Sequence, residues 1–192
     1  MKILRSLSHN FSHWNRKRKL QFVSDLIKAR NVQKCLLVGA KAEIRLGNLD
    51  NVVEAGIRNL VSEVVASGLE PESHSWGNWI QADGKNLPFP DKFFDLVFSN
   101  AVIEHVGDEN DQRKFINEQL RVGKNWVITT PNRLFPIESH TQKIFIHMSK
   151  RWTNPVVSRL LSKKDLKEML PEDAIILGNV FSPTFICFNK QI

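Results

Sequence analysis

The run Cys35-Leu36-Leu37-Val38, closed by Gly39, is apolar on both phases of its alternation. A strand with two apolar faces must be covered on both sides, which is the habit of strands in parallel sheets flanked by helices. Glu63-Val64-Val65-Ala66-Ser67-Gly68-Leu69, Phe94-Asp95-Leu96-Val97-Phe98-Ser99 and Asn125-Trp126-Val127-Ile128-Thr129-Thr130 also have β character, and Asn78-Trp79-Ile80-Gln81 reads as a shorter strand. Leu20, Phe22, Val23, Leu26 and Ile27 recur at helical spacing and predict an amphipathic helix over 14–30. Phe115, Ile116 and Leu120 predict another over 111–121 with Gly123 as its stop, and 163–170 a short one ending before Pro171. The tail carries Ala174-Ile175-Ile176-Leu177 and Thr184-Phe185-Ile186-Cys187-Phe188, split by Ser182-Pro183, a gap short enough to predict an antiparallel hairpin at one sheet edge. Strands alternating with helices and closed by a hairpin make an α/β protein: a Rossmann-like open, mostly parallel sheet with helices on both faces.

The length of 192 residues suits one domain, 1–192, in which 1–30 form a basic N-terminal arm and helix. With 42% apolar and 24% charged residues, a disordered chain is excluded. The net charge of +7 belongs to the ends: residues 1–19 hold six Lys or Arg and no acid, whereas 20–142 hold 13 basic and 16 acidic groups. That arm could touch an anionic membrane surface or simply be solvated, and no nucleic-acid-binding motif accompanies it. Two cysteines in apolar runs cannot build a disulfide framework or a metal site, and no stretch approaches the roughly 20 apolar residues of a membrane span. The expectation is a soluble, cytoplasmic protein without a structural metal.

Ligands of such a sheet bind beyond the carboxyl ends of its strands, near the switch in strand order. The residues standing there are Val38-Gly39-Ala40-Lys41-Ala42-Glu43, Glu70-Pro71, Ala82-Asp83-Gly84, Asn100 with Glu104-His105, and Thr130-Pro131-Asn132-Arg133. A glycine admits close backbone approach, and carboxylates accept ribose hydroxyls or an adenine amino group, so the set suits an adenosine-bearing cofactor.

In order and spacing these blocks resemble class I S-adenosylmethionine-dependent methyltransferases of the methyltransferase type 11 kind. The resemblance runs over about residues 34–141 and is most specific from Asp83 to Thr141, through Ala82-Asp83-Gly84-Lys85-Asn86-Leu87-Pro88-Phe89-Pro90-Asp91, Ser99-Asn100-Ala101-Val102-Ile103-Glu104-His105-Val106 and Thr130-Pro131-Asn132-Arg133 to Glu138-Ser139-His140-Thr141. It implies a seven-stranded sheet and S-adenosylmethionine as cofactor. By the same resemblance Gly39 approaches the methionine part, Glu70 the ribose hydroxyls and Asp83 the adenine amino group, with Gly84 beside it, and Ser99 and Asn100 lie next to the methyl-bearing sulfur. His105 and His140 could take a proton from an attacking hydroxyl, or each could be a structural histidine with its hydrogen bonds satisfied. The acceptor itself, a small molecule or a glycan or lipid, is not legible.

Two departures qualify the resemblance. The family's first loop has an acid and three glycines, and Leu37, Gly39, Lys41 and Glu43 stand at those positions, so the motif is degenerate. A catalytically degenerate domain that binds or regulates a partner is therefore the alternative reading. Glu70 and Trp79 are nine positions apart, less than the dozen or more residues of a parallel crossover, so no helix is expected between them. Trp76 or Trp79 could stack on the base, or each could instead take a place in the core or at the surface. Rival enzyme classes fare worse. There is no G-x-G-x-x-G, and with no tyrosine in the chain both a tyrosine-based reductase and the Asn-Pro-Pro-Tyr motif for nucleic-acid amino groups are excluded.

Overall fold

The computed structural model describes residues 2–43, 52–137, 145–148 and 154–190, with side chains from residue 12 onward. Seven strands form one sheet: β1 (Lys34–Val38), β2 (Glu63–Gly68), β3 (Trp79–Gln81), β4 (Phe94–Asn100), β5 (Gly123–Pro131), β6 (Ala174–Leu177) and β7 (Thr184–Asn189). Their order is β3-β2-β1-β4-β5-β7-β6. The first five are parallel, and β7 runs antiparallel to β5 and to the edge strand β6. The Rossmann-like sheet with its C-terminal hairpin is thus the one the sequence predicts.

Strand alternation divides the core into two. Leu36, Val38 and Val97 pack with Phe115, Ile116 and Val122 of α3 (Glu109–Val122) and Leu166 and Met169 of α4 (Lys163–Met169). Cys35, Leu37 and Leu96 pack on the other face with Val23, Leu26 and Ile27 of α1 (Lys2–Ala29) and Val53 and Ile57 of α2 (Val52–Arg58). This two-sided burial is what the unbroken apolar run at 35–38 demands. The first helix begins well before residue 14, and α2 had no signature of its own in the sequence reading.

Local chemistry sets the ends of the elements. Asp108 caps α3 by accepting from the Asp111 backbone N–H, and Ser162 with Asp165 forms a capping box on α4. Gly123 does end α3, but in an extended conformation that leads straight into β5 rather than in a left-handed turn. Arg121 anchors the turn before β4 by donating to the Leu87 and Phe89 carbonyls at 2.9 and 2.7 Å while pairing with Glu118 and Asp91. Residues 69–78 contain no helix. The short crossover is feasible because β3 has only three residues and pairs with the last three of β2, Ala66 to Gly68, so the chain has little distance to retrace.

Candidate functional site

From β1 the chain moves outward to β2 and β3, then returns to place β4 on the opposite side of β1. The carboxyl ends of β1 and β4 therefore flank the topological switch point. A cavity of about 440 Å³ opens there, and Gly39, Glu70, Asp83, Gly84, Asn100 and His105 all line it. Ser99 does not. It is 1% exposed, its hydroxyl is enclosed without a hydrogen-bond partner, and strand alternation sends it to the opposite face from Asn100. His140 lies outside the described residues.

Gly39 turns the chain off β1 with φ of +69°, and a β-carbon there would lie 2.6 Å from both methyls of Val102. This is a close approach that only glycine allows. Asp83 stays on the rim, its carboxylate accepting from the Lys85 backbone N–H at 2.9 Å, with the Lys85 ammonium shared between Asp83 and Asp111. Lys41 and Glu43 behave differently from each other. Lys41 lines the cavity, whereas the Glu43 carboxylate turns to the 72–76 loop and accepts from the His74 N–H and the Ser75 hydroxyl at 3.3 and 3.1 Å. Glu43→Gly is therefore expected to leave adenosyl-ligand affinity within about twofold, a difference below 0.5 kcal/mol, while Lys41→Gly changes it; isothermal titration of the two variants separates them.

The indoles are structural. Trp76 is buried in the α1–α2 core and donates to the Lys41 carbonyl at 2.9 Å; Trp79 donates to the Glu70 carbonyl at 3.0 Å. Neither lines the cavity, and both pack with the α1–α2 cluster, so of the two roles open to each the structure shows the packing one. Ile103–His105 form a single 3-10 turn. His105 Nδ1 donates to the Val156 carbonyl, which can only accept, and its Nε2 lies 3.9 Å from Oε1 of the buried Glu104 carboxylate.

A buried polar chain backs the cavity. Asn100 accepts from the Lys19 ammonium at 2.6 Å and from the Thr129 hydroxyl at 2.8 Å through Oδ1, and donates through Nδ2 to Glu54 Oε1 at 2.8 Å. Lys19 can only donate, so the amide orientation is fixed by chemistry. The sequence reading missed Lys19 and Glu54. The available signal was a charge inside an apolar stripe: Lys19 shares a helix face with Val23 and Leu26, and Glu54 stands beside Val53 on the buried side of α2.

Burial pushes the Lys19 ammonium down to about 8 and the Glu54 carboxyl upward. A lowered lysine pKa means the unfolded chain holds the extra proton between about pH 8 and 10.5, so stability rises with pH in that window. Buried Cys35 and Cys187 are raised from 9.0 and hold protons that the unfolded chain releases, so they reverse the trend above pH 9. The raised Glu54 carboxyl acts in the opposite sense at lower pH, lowering stability as pH rises from 4.5. The unfolding free energy is expected to climb from pH 8 to about 9 and then fall. Lys19→Met should remove the climb in urea titrations run across that range.

The sheet order, the antiparallel hairpin and a cavity at the switch point define a class I methyltransferase fold. The family model of a methyltransferase domain matches residues 50–126. Similar structures include a methyltransferase from Clostridium acetobutylicum (11% identity, TM-score 0.64, covering 90% of each chain). They also include magnesium protoporphyrin IX methyltransferase from Synechocystis with bound S-adenosylhomocysteine (8% identity, TM-score 0.59, 91% of this chain and 82% of that one). A third is the N-methyltransferase NodS from Bradyrhizobium japonicum, also with S-adenosylhomocysteine (13% identity, TM-score 0.58, 90% and 85%). No curated protein matches. The chain has the class I methyltransferase fold, and its residues 50–126 are similar to the methyltransferase domain. Among the described residues, no helix is long and apolar enough to cross a membrane and no His, Cys, Asp and Glu group could hold a metal.

Proposed function

We propose that the protein is an S-adenosylmethionine-dependent methyltransferase acting on a small-molecule, glycan or lipid-type acceptor. The observation that carries this reading is the convergence of Gly39, Glu70, Asp83, Gly84 and Asn100 on one cavity at the switch point. The cavity has features that fit an adenosyl amino acid: a glycine cradle at Gly39 that a β-carbon would fill, exposed carboxylates at Glu70 and Asp83, and a buried carboxylate oxygen of Glu54 without a partner.

In this reading Glu70 takes the ribose hydroxyls, Asp83 the adenine amino group, and Asn100 stands at the sulfur, with Ser99 supporting the strand end. The bound cofactor supplies an electrophilic methyl that carries its own leaving group, so the chain's task is to align an acceptor and exclude water. His105 is the candidate to take the acceptor's proton, with Nδ1 bonded to the Val156 carbonyl and Nε2 beside the Glu104 carboxylate. The alternative, a degenerate domain, draws its support from the single glycine of the first loop and from Lys41 on the cavity wall. Calorimetric titration with S-adenosylmethionine and S-adenosylhomocysteine decides between them, and heat from neither sinks the enzyme reading. Asp83→Ala should weaken binding by about 1–3 kcal/mol through loss of an acceptor; unchanged affinity in a folded variant would remove Asp83 from the site.

A further inference from the structure

Two apolar features outside the cavity stand at the end of the sheet where the cavity opens. Lys19 and Asn15 of α1 bond Asn100 at the end of β4 and Thr184 at the start of β7, at 2.6 and 2.8 Å. The N-terminal part of α1 therefore stands at the carboxyl ends of the parallel strands, and the helix continues beyond Asn15 through residues 2–14, about 20 Å at roughly 1.5 Å per residue. By helical spacing Ile3, Leu4, Leu7, Phe11 and Trp14 share one stripe. At about 100° per residue, Trp14 and the core residue Val23 fall on opposite sides of the helix, and Trp14 is 52% exposed.

The β6–β7 connection is the second feature. Buried Asn132 donates to the carbonyls of Asn179, Val180 and Ser182 at 3.2, 3.3 and 2.9 Å, and the Phe181 N–H is taken by Asn179 Oδ1 at 2.9 Å. A loop tied in this way has a fixed shape, yet it holds Phe181 82% exposed, with Val180 and Leu134 exposed nearby in the chain. The segments at this end, 2–19, 132–137 and 178–184, contain seven Lys or Arg and no Asp or Glu.

We propose that this end of the molecule docks on an anionic phospholipid bilayer, with residues 2–14 along the headgroups and Phe181 inserted beside them. Single exposed apolar side chains are ordinary, but here a stripe and a rigid loop share one end with cations and no acid. A basic amphipathic helix with aromatic residues gains from hydrocarbon and from headgroup charge together. The Arg18 guanidinium stacks 5.5 Å from the Trp14 ring centre, so a cation accompanies the indole to the interface. A nucleic acid would use the charge and leave the stripe in water. A second copy would cover the stripe but bring like charges together. Docking turns the mouth of the cavity toward the lipid, which, resting on the methyltransferase reading above, selects a lipid-type acceptor.

The test sediments the full chain with phosphatidylcholine vesicles, with and without phosphatidylglycerol. The expected result is binding to the mixed vesicles alone, lost at high salt. Arg5→Glu with Lys17→Glu should weaken it at least about tenfold, since each basic side chain near such a surface is worth roughly fivefold. Lys17→Glu alone carries this arm if the double variant does not fold. Trp14→Ser and Phe181→Ser, both at exposed positions, should each weaken binding severalfold. No binding to mixed vesicles, equal binding to both kinds, or indifference to both serine variants overturns the proposal. Tighter binding to a single-stranded RNA than to the vesicles overturns it too, as does a dimer in sedimentation velocity that Trp14→Ser dissolves. Calorimetry with S-adenosylhomocysteine on the same preparation separates the two readings. Vesicle binding without ligand binding supports the surface and removes the methyl-donor reading with its lipid acceptor, whereas ligand binding without vesicle binding overturns the surface alone.

Discussion

Phe115→Ala is expected to lower the unfolding free energy by about 3–5 kcal/mol, the usual cost of emptying a fully buried aromatic site. Phe115 is 0% exposed and sits on α3 with Val38 and Leu36 of β1 in the same cluster. Its ring also backs the cavity: a β-carbon added to Gly84 would lie 2.6 and 2.8 Å from the Phe115 Cε2 and Cδ2 atoms. The glycine after Asp83 is thus a packing requirement imposed by the ring. That gives the prediction a second arm. Gly84→Ala should be costly in the wild-type background and much milder once the ring is gone, a coupling on the order of 0.5–3 kcal/mol in a double-mutant cycle. Urea unfolding of the four proteins measures both. Additive losses would show that Gly84 and Phe115 do not touch.

The sheet was legible because burial on both faces leaves a mark in every strand. Cys35 and Leu37 point one way and Leu36 and Val38 the other, and all four are apolar. The hairpin was legible from loop length alone. The start of α1 was legible too, since Ile3, Leu4, Leu7 and Phe11 recur at helical spacing, but the expected helix was begun only at residue 14. Helix α2 is only seven residues long and follows residues outside the described structure, too little chain for a period of 3.6 to declare itself. At the cavity, residues placed just after strands were readable because topology dictates where strand ends go. Glu54 and Lys19 come from helices, where the sequence gives the face but not the neighbour across the gap. Ser99 shows the limit of the strand-end rule: being adjacent to Asn100 in sequence puts it on the other side of the sheet, because alternation has a period of two. Trp76 and Trp79 could take either of two places, and the sequence does not say which. Trp76 in the loop is drawn into the core with its N–H met by the Lys41 carbonyl, whereas Trp79 on β3 is half-buried with its N–H met by the Glu70 carbonyl.

Gly39→Val should have the largest effect on the cavity itself. The residue follows β1 with φ of +69°, a region that costs an L-residue roughly 1–2 kcal/mol, and more for a β-branched side chain. The added β-carbon would also fall 2.6 Å from Val102 Cγ1 and Cγ2, and relieving such overpacking typically costs about 1–3 kcal/mol. The two costs act at one point, so a total loss of about 2–5 kcal/mol in unfolding free energy is expected. Val102 itself lines the cavity, and so do Ala101, held at φ of +57°, and Asn100. Pushing Val102 aside therefore moves the β4 end that carries Asn100, and with it the amide that orients Glu54. Adenosyl-ligand binding should fall by at least about tenfold, 1.4 kcal/mol or more, even under conditions where the variant is fully folded. Titration calorimetry below the variant's unfolding midpoint provides the measurement. A variant that loses stability but binds at wild-type affinity would show that the β1 turn supports the sheet without shaping the ligand site. The one glycine left in the first loop would then owe its place to the backbone alone.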